Sequence, residues 1–251
     1  MAEVIFRLDD VQDGWLVNTQ RALFDFFANN ALGPQALVLG VIGNSMRGST
    51  EFSQTLYNYL CINNKFEIAC HGFNHNDFSL MTDSEQENEF LMFSAMAREF
   101  FPELEVNTFI PPYNRINSCT INVAVRHGFS VLSGLDSIYT KSNFFNNPSF
   151  MNCTVSTSTS FDENSSMCCF EEIVSGIQSQ LLSKFDWCVV MLHPQEFSQG
   201  LTDEVNNSSL QTMQKVIEWC IENGHEITTF SEMRRKLKNA DYVTEYLSSV
   251  Y

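Results

Sequence analysis

The sequence predicts an α/β protein, a distorted (β/α) barrel of about seven parallel strands. Short apolar runs recur along the chain, and most are followed by a segment whose apolar residues repeat at helical spacing. Repeated strand–helix order requires parallel strands joined by crossover helices, and about seven such units are enough to close a sheet into a barrel. A chain of 251 residues has the length for one such barrel.

The individual elements follow from the pattern. Strands are predicted at 4–8, 35–43, 65–70, 106–113, 129–135, 188–194 and 226–230, and helices at 16–30, 49–64, 82–101, 116–128 and 208–224. The long third helix begins at Thr82, where Glu85 completes a capping box, and it ends before Pro102. Glycines at 128 and 224 close two of the other helices.

The strand–helix pattern runs without a break, which predicts a single domain over 1–251. The exception is about 137–168, a polar stretch with scattered phenylalanines and little periodicity. We expect this stretch to be an irregular excursion over one face of the barrel.

The charge of the chain restricts its partners. With 14 Lys+Arg against 30 Asp+Glu, the formal net charge is −16, which repels phosphate backbones and argues against nucleic acid. No apolar run has the length of a membrane span. The first strand begins almost at the N-terminus, so we expect no signal peptide in the sequence as given and a cytoplasmic protein if Met1 is native. The sequence leaves the oligomeric state open and is compatible with a monomer.

Polar residues follow the predicted strands, where the chemistry of such barrels gathers. Three of the five histidines lie there, together with two adjacent aspartates and one more carboxylate. The set is Asp9, Asp10, His71, His75, Tyr113, Asp136 and His193.

His71 and His75 are four residues apart, so on one helical turn they could bind the same metal ion. Asp10 can complete a set of two histidines and one carboxylate, leaving positions open for water and substrate. The glycine that follows His71 excludes the HExxH pattern of metalloproteases, which needs a glutamate there as its base. Asp9 is then free to accept a proton.

At these positions the sequence resembles the polysaccharide deacetylases of carbohydrate esterase family 4. "RLDDV" resembles the first motif of the family, "HGFNH" the second, "IPPY" the third, "SGLDS" the fourth and "MLH" the fifth, all in the family order. The resemblance implies that Asp10, His71 and His75 hold one divalent metal and that Asp9 is the base. It further implies that the amide of Tyr113 stabilises the oxyanion and that His193 is the general acid, tuned by Asp136.

The implied activity is metal-dependent removal of N-acetyl groups from an N-acetylglucosamine-containing polysaccharide or oligosaccharide, with chitin-type substrates favoured. Zinc best fits two imidazoles and one carboxylate, with cobalt or manganese as alternatives. If the N-terminus was trimmed, the resemblance implies a cell-surface or secreted location.

Two positions depart from the family motifs. Ile110 stands where the third motif has the arginine that positions the catalytic aspartate, and Ser137 stands where the fourth has a tryptophan. Because side chains alternate along a strand, Arg7 and Asp9 should share the inner face while Leu8 and Asp10 share the other. We therefore expect Arg7 to replace the missing arginine, with Arg115 as the second candidate.

Two alternatives remain open. The departures at 110 and 137 are compatible with a catalytically silent carbohydrate-binding relative. Two histidines and a carboxylate are also the ligand set of non-haem iron oxygenases. That class predicts an antiparallel barrel and an HxD…H order, and both the α/β pattern and the D…HxxxH order count against it.

Overall fold

A parallel sheet of nine strands lies at the centre of the described part of the chain. The computed structural model describes residues 2–46, 50–62, 64–134, 151–160, 166–182 and 187–239. The strands are β1 Glu3–Val11, β2 Leu37–Val41, β3 Phe66–Cys70, β4 Thr108–Phe109, β5 Val131–Leu132, β6 Met151–Asn152, β7 Thr157–Ser158, β8 Trp187–Leu192 and β9 Glu226–Ile227. Every strand pair is parallel. The predicted fold class is confirmed.

The spatial order of the strands is β6-β5-β4-β3-β2-β1-β8-β7, and β9 pairs with the beginning of β1. The two outermost strands belong to one short stretch, 151–158. Within it the N–H of Val155 donates to the carbonyl of Gly134 and the N–H of Ser156 donates to that of Val189, both at 2.9 Å. This stretch therefore joins the two edges of the sheet and closes the barrel.

That finding corrects part of the prediction for 137–168. Residues 151–158 are in the sheet and not in an irregular excursion. Their two strands are two residues long each, too short to produce a periodic pattern. Residues 137–150 and 161–165 lie outside the described residues.

The described ranges contain seven α-helices. They are α1 Val17–Ala28, α2 Glu51–Ile62, α3 Asp83–Phe100, α4 Thr120–Arg126, α5 Phe170–Leu181, α6 Asn207–Glu222 and α7 Phe230–Asn239. The predicted capping box is present, since the N–H of Thr82 donates to Glu85 at 2.7 Å and the N–H of Glu85 donates back to the Thr82 hydroxyl at 3.4 Å. None of these helices is long and apolar enough to cross a membrane.

The sequence pattern did not predict α5 and α7, and it assigned Phe230 to the last strand. Phe230 instead begins α7 and, together with Met233 one turn later, packs inside the barrel against Ile5 and Val38. The N–H of Ser231 donates to Glu67 near the beginning of β3 at 2.8 Å. Helix α7 therefore closes the end of the barrel where the strands begin, and the opposite end is left for the site.

Candidate active site

The first strand ends in a bulge that sets the directions of Asp9 and Asp10. The register of β1 against β2 shifts between Leu8 and Val11, and Asp10 has a left-handed backbone with φ 57°. Strict alternation would place Asp10 on the face of Leu8, and this prediction is wrong. Leu8 packs in the core beneath the helices, whereas Asp10 contacts His71 and His75. The bulge interrupts the alternation that the prediction assumed.

Asp10, His71 and His75 form one compact donor set. The Oδ1 atom of Asp10 lies 3.2 Å from Nε2 of His71 and 3.0 Å from Nε2 of His75. Three potential ligand atoms of these residues lie within 4.8 Å of one another. Burial alone would raise the pKa of Asp10, but hydrogen bonds with His71 and His75 and the charge of His71 outweigh burial and hold this pKa well below its usual range.

The orientation of His71 suits a metal ligand. Its Nδ1 lies 2.9 Å from the carbonyl oxygen of Ile110. Because a carbonyl can only accept, Nδ1 carries a proton, which leaves Nε2, on the side of Asp10 and His75, as the atom that would bind a metal. Two imidazole nitrogens and one ionised carboxylate are a donor set that suits zinc, so the residues present fit a divalent metal.

Arg7 lies inside the barrel and is fully buried. Its Nε and Nη2 donate to the two oxygens of Asp9 at 2.8 and 2.6 Å. Nη2 also donates to Oδ1 of Asn114 at 2.6 Å, and Nη1 donates to the carbonyl and hydroxyl oxygens of Ser133 at 2.7 and 2.9 Å. All five N–H donors of the guanidinium are therefore used, and the Asp9 carboxylate is held in one orientation.

The second candidate, Arg115, and the residue at the motif position, Ile110, have other surroundings. Arg115 has a side chain that is 66% exposed, and it pairs with Asp77 at 3.2 Å. Ile110 is fully buried in the inner cluster with Ile5 and Val38. The side chain at position 110 thus serves the core, while its backbone carbonyl orients His71.

Tyr113 stands at the mouth of the site. Its backbone is left-handed, with φ 56°, and its side chain ring lies 4.9 Å from the ring of His75 between centroids. The residue is 56% exposed, so the ring is open to solvent beside the donor set.

His193 follows β8 and is held from behind by Glu196. Nδ1 of His193 lies 3.0 Å from Oε1 of Glu196, whose other oxygen accepts a hydrogen bond from the hydroxyl of Thr159. Burial alone would lower the pKa of His193. The hydrogen bond with Glu196 and the negative charges of Asp9, Glu196 and Asp10 outweigh it and raise the pKa to about 9. His193 is therefore protonated at neutral pH.

Sequence reasoning missed Glu196, and also Ser133 and Asn114. It assigned the tuning of His193 to Asp136, a residue that lies outside the described residues. The available signal for Glu196 was a carboxylate three residues after a strand-end histidine, between Pro194 and Phe197. Glu196 is 2% exposed, and the short helical turn after β8 places it against His193 and Thr159.

Residues 54–132 match the family model described as polysaccharide deacetylase. No curated protein matches the chain in sequence. Among solved structures, a peptidoglycan N-acetylglucosamine deacetylase is 14% identical, with 92% of this chain and 87% of that chain covered and a TM-score of 0.61. A family 4 acetyl xylan esterase from Clostridium thermocellum, in complex with a cobalt ion, is 15% identical, with 92% and 89% covered and a TM-score of 0.60.

A third similar structure is a carbohydrate esterase family 4 pseudoenzyme from Bacillus anthracis, 11% identical, with 92% of this chain and 64% of that chain covered and a TM-score of 0.57. At these identities the structures show the fold. The family match and the fold together confirm the resemblance to polysaccharide deacetylases. The parallel sheet also contradicts the antiparallel barrel that the iron-oxygenase alternative predicts.

Proposed function

We propose that this protein, which resembles polysaccharide deacetylases, is a metal-dependent hydrolase that removes N-acetyl groups from N-acetylglucosamine-containing glycans. The observation that carries the proposal is the arrangement at one end of the barrel. Asp9 is fixed by Arg7, the Asp10–His71–His75 donor set lies beside it, and a protonated His193 interacts electrostatically with both aspartates.

In this reaction each residue of the site has one role. Asp10, His71 and His75 would hold the metal, which when bound polarises the acetamide carbonyl and acidifies a water molecule. Asp9 accepts the proton of the attacking water, since Arg7 orients its carboxylate and balances its charge.

The remaining steps concern the oxyanion and the leaving group. The amide N–H of Tyr113 donates to the developing oxyanion. His193 gives its proton to the departing nitrogen, and Glu196 keeps the imidazole charged and correctly turned until then. The products are acetate and a free amino sugar.

The substrate we favour is chitin or a chitooligosaccharide. A protein with a formal net charge of −16 is suited to a neutral glycan whose product is cationic, and is less suited to an anionic glycan. Zinc is the metal we favour, with cobalt or manganese able to occupy the same donors.

The test is acetate release from chitooligosaccharides and peptidoglycan fragments, after chelation and after adding back zinc, cobalt or manganese. We expect release to need metal and to be fastest with chitooligosaccharides. Elemental analysis should give about one metal per chain, and the His71→Ala/His75→Ala double variant should bind none. Full metal occupancy in that variant, or acetate release that survives chelation, would contradict the proposal.

A second candidate is a catalytically silent carbohydrate-binding relative. Ile110 in place of the motif arginine favours it, and so does the pseudoenzyme among the similar structures. It predicts saturable binding of chitooligosaccharides with no acetate released under any metal, a result that the same experiment would reveal.

A further inference from the structure

We infer that Glu89, on α3, is a positioning residue that sets the metal affinity of the site by holding the segment 71–76 in its binding conformation. The inference rests on the proposed function, because it concerns the same donor set. Glu89 is 2% exposed and contacts none of the three donors directly in the hydrogen bonds observed, so it would act through the backbone that carries His75.

The segment needs external support because it has two left-handed residues, of which only the glycine adopts that conformation freely. Gly72 has φ 72° and His75 has φ 56°. A non-glycine residue in the left-handed region persists only where its surroundings enforce it. At His75 this conformation brings Nε2 to 3.0 Å from Asp10, so the strain accompanies the binding geometry.

Glu89 supplies the support with both carboxylate oxygens. Oε2 accepts the backbone N–H groups of Phe73 and Asn74 at 2.7 and 2.9 Å. Oε1 accepts the side-chain amides of Asn74 and Asn76 at 2.7 and 3.0 Å. Four donors from three residues, on both sides of His75, therefore converge on one buried carboxylate.

The opposite side of the segment is held by residues 43 and 44. The N–H of Gly43 donates to Gly72 at 3.1 Å, and the N–H of Asn44 donates to Phe73 at 2.8 Å. A Cβ at position 43 would lie 2.7 Å from the Phe73 ring, so the segment can seat here only against a glycine. Nδ2 of Asn44 also donates to Oδ1 of Asn74 at 3.0 Å, but this bond is exposed and reaches only the side chain. Glu89 therefore supplies the bonds to the backbone N–H of Asn74 and to Asn76, the residues that flank His75.

Glu89 could instead serve only to anchor α3, and Gln86 provides the comparison. Gln86 is also on α3, about one turn earlier, and is fully buried. Its side chain donates to the Phe78 carbonyl at 2.9 Å and to Asn117 at 3.0 Å, outside the segment 71–76. Loss of Gln86 should thus weaken the attachment of α3 without reaching the metal donors.

The test is zinc affinity, measured by competition with a chromogenic chelator, in Glu89→Gln and in the control Gln86→Met. An amide has a single acceptor oxygen. Because the two backbone N–H groups cannot turn, the amide nitrogen of the new side chain would face the Asn74 and Asn76 amides. We expect zinc binding to weaken by about 10- to 100-fold in Glu89→Gln and to stay unchanged in Gln86→Met.

Hydrogen exchange provides a readout that needs no metal. In the metal-free protein, the amides of Phe73 and Asn74 should exchange faster in Glu89→Gln than in the parent or in Gln86→Met. Asn76→Ala removes one of the four bonds from an exposed residue, so it should fold and show a smaller loss of zinc affinity.

Unchanged zinc affinity in a folded Glu89→Gln protein would overturn the inference, as would an equal loss in Gln86→Met. If the parent bound no zinc, the proposed metal dependence would fail, and the exchange of the two amides would still decide whether Glu89 holds the segment. Unaltered exchange would then overturn it. Should Glu89→Gln not fold, Asn76→Ala decides, and unaltered affinity and exchange there would overturn the inference.

Discussion

Replacing Arg7 with methionine should separate the base from its orienting partner while leaving the metal donors in place. Methionine keeps most of the volume of the buried arginine stem but supplies none of its five N–H donors. The Asp9 carboxylate, whose side chain is 3% exposed, loses its counter-ion, and acceptors on Ser133 and Asn114 lose their donors.

The size of the effect follows from burial. Removing one partner of a buried ion pair costs about 3–5 kcal/mol, because the other charge stays buried and uncompensated. We therefore expect the free energy of unfolding to fall by that amount in urea titrations of the metal-free protein. Acetate release should fall sharply, with little change in metal content, since Asp10, His71 and His75 do not contact Arg7 in the hydrogen bonds and ion pairs observed.

Two variants make the measurement specific. Arg115→Met removes an exposed arginine paired with Asp77, and it should cost less than about 1 kcal/mol and leave turnover unchanged. Adding Asp9→Asn to Arg7→Met removes the uncompensated charge and should recover part of the lost stability. Normal turnover and stability in Arg7→Met would refute the reasoning. Loss of turnover in Arg115→Met would transfer the role to that residue.

Three further predictions concern single carboxylates and one histidine. Asp9→Asn should keep its metal in elemental analysis and lose about 10²- to 10⁴-fold in acetate release, because the metal donors survive and the base does not. Loss of both the metal and acetate release, with the fold intact, would reverse the roles of the two aspartates. His193 should titrate near pH 9 by NMR in the metal-free protein, and lower in Glu196→Gln, since its pKa is raised chiefly by that partner against burial. Because the folded pKa of His193 is raised, its contribution to the free energy of unfolding is complete below the unfolded pKa and is lost as pH rises through about 9. If the free energy of unfolding depended on pH equally in the parent and in Glu196→Gln, the pairing would be contradicted. Burial raises the pKa of Glu67 despite hydrogen bonds from Thr108 and Ser231, so the contribution of Glu67 to stability is lost as pH rises through its folded pKa. The free energy of unfolding, measured from mildly acidic to neutral pH, should show this fall in the parent and not in Glu67→Gln.

The order of the barrel could be read from the sequence because long apolar runs and helical periodicity are local properties. The strands β1, β2, β3 and β8 are five to nine residues long and were predicted. In a parallel sheet the carboxyl ends of strands lie at one edge, so the same pattern brought Asp9, Asp10, His71 and His193 to one end of the barrel. The two-residue strands β6 and β7 have no period of their own, and helix α7 was missed because its first residue continues an apolar strand-like run.

Local sequence patterns are thus sufficient for the fold class, for the end of the barrel that carries the chemistry, and for the residue types available there. The orientation of these side chains depends on contacts between distant segments. The left-handed backbone of Asp10 breaks the alternation that a strand pattern assumes. Arg7 finds acceptors on residues 107 and 126 positions further along the chain, and Glu196 reaches a hydroxyl 37 positions before it. Such contacts depend on where the closed barrel places distant segments, and local periodicity carries no information about that placement.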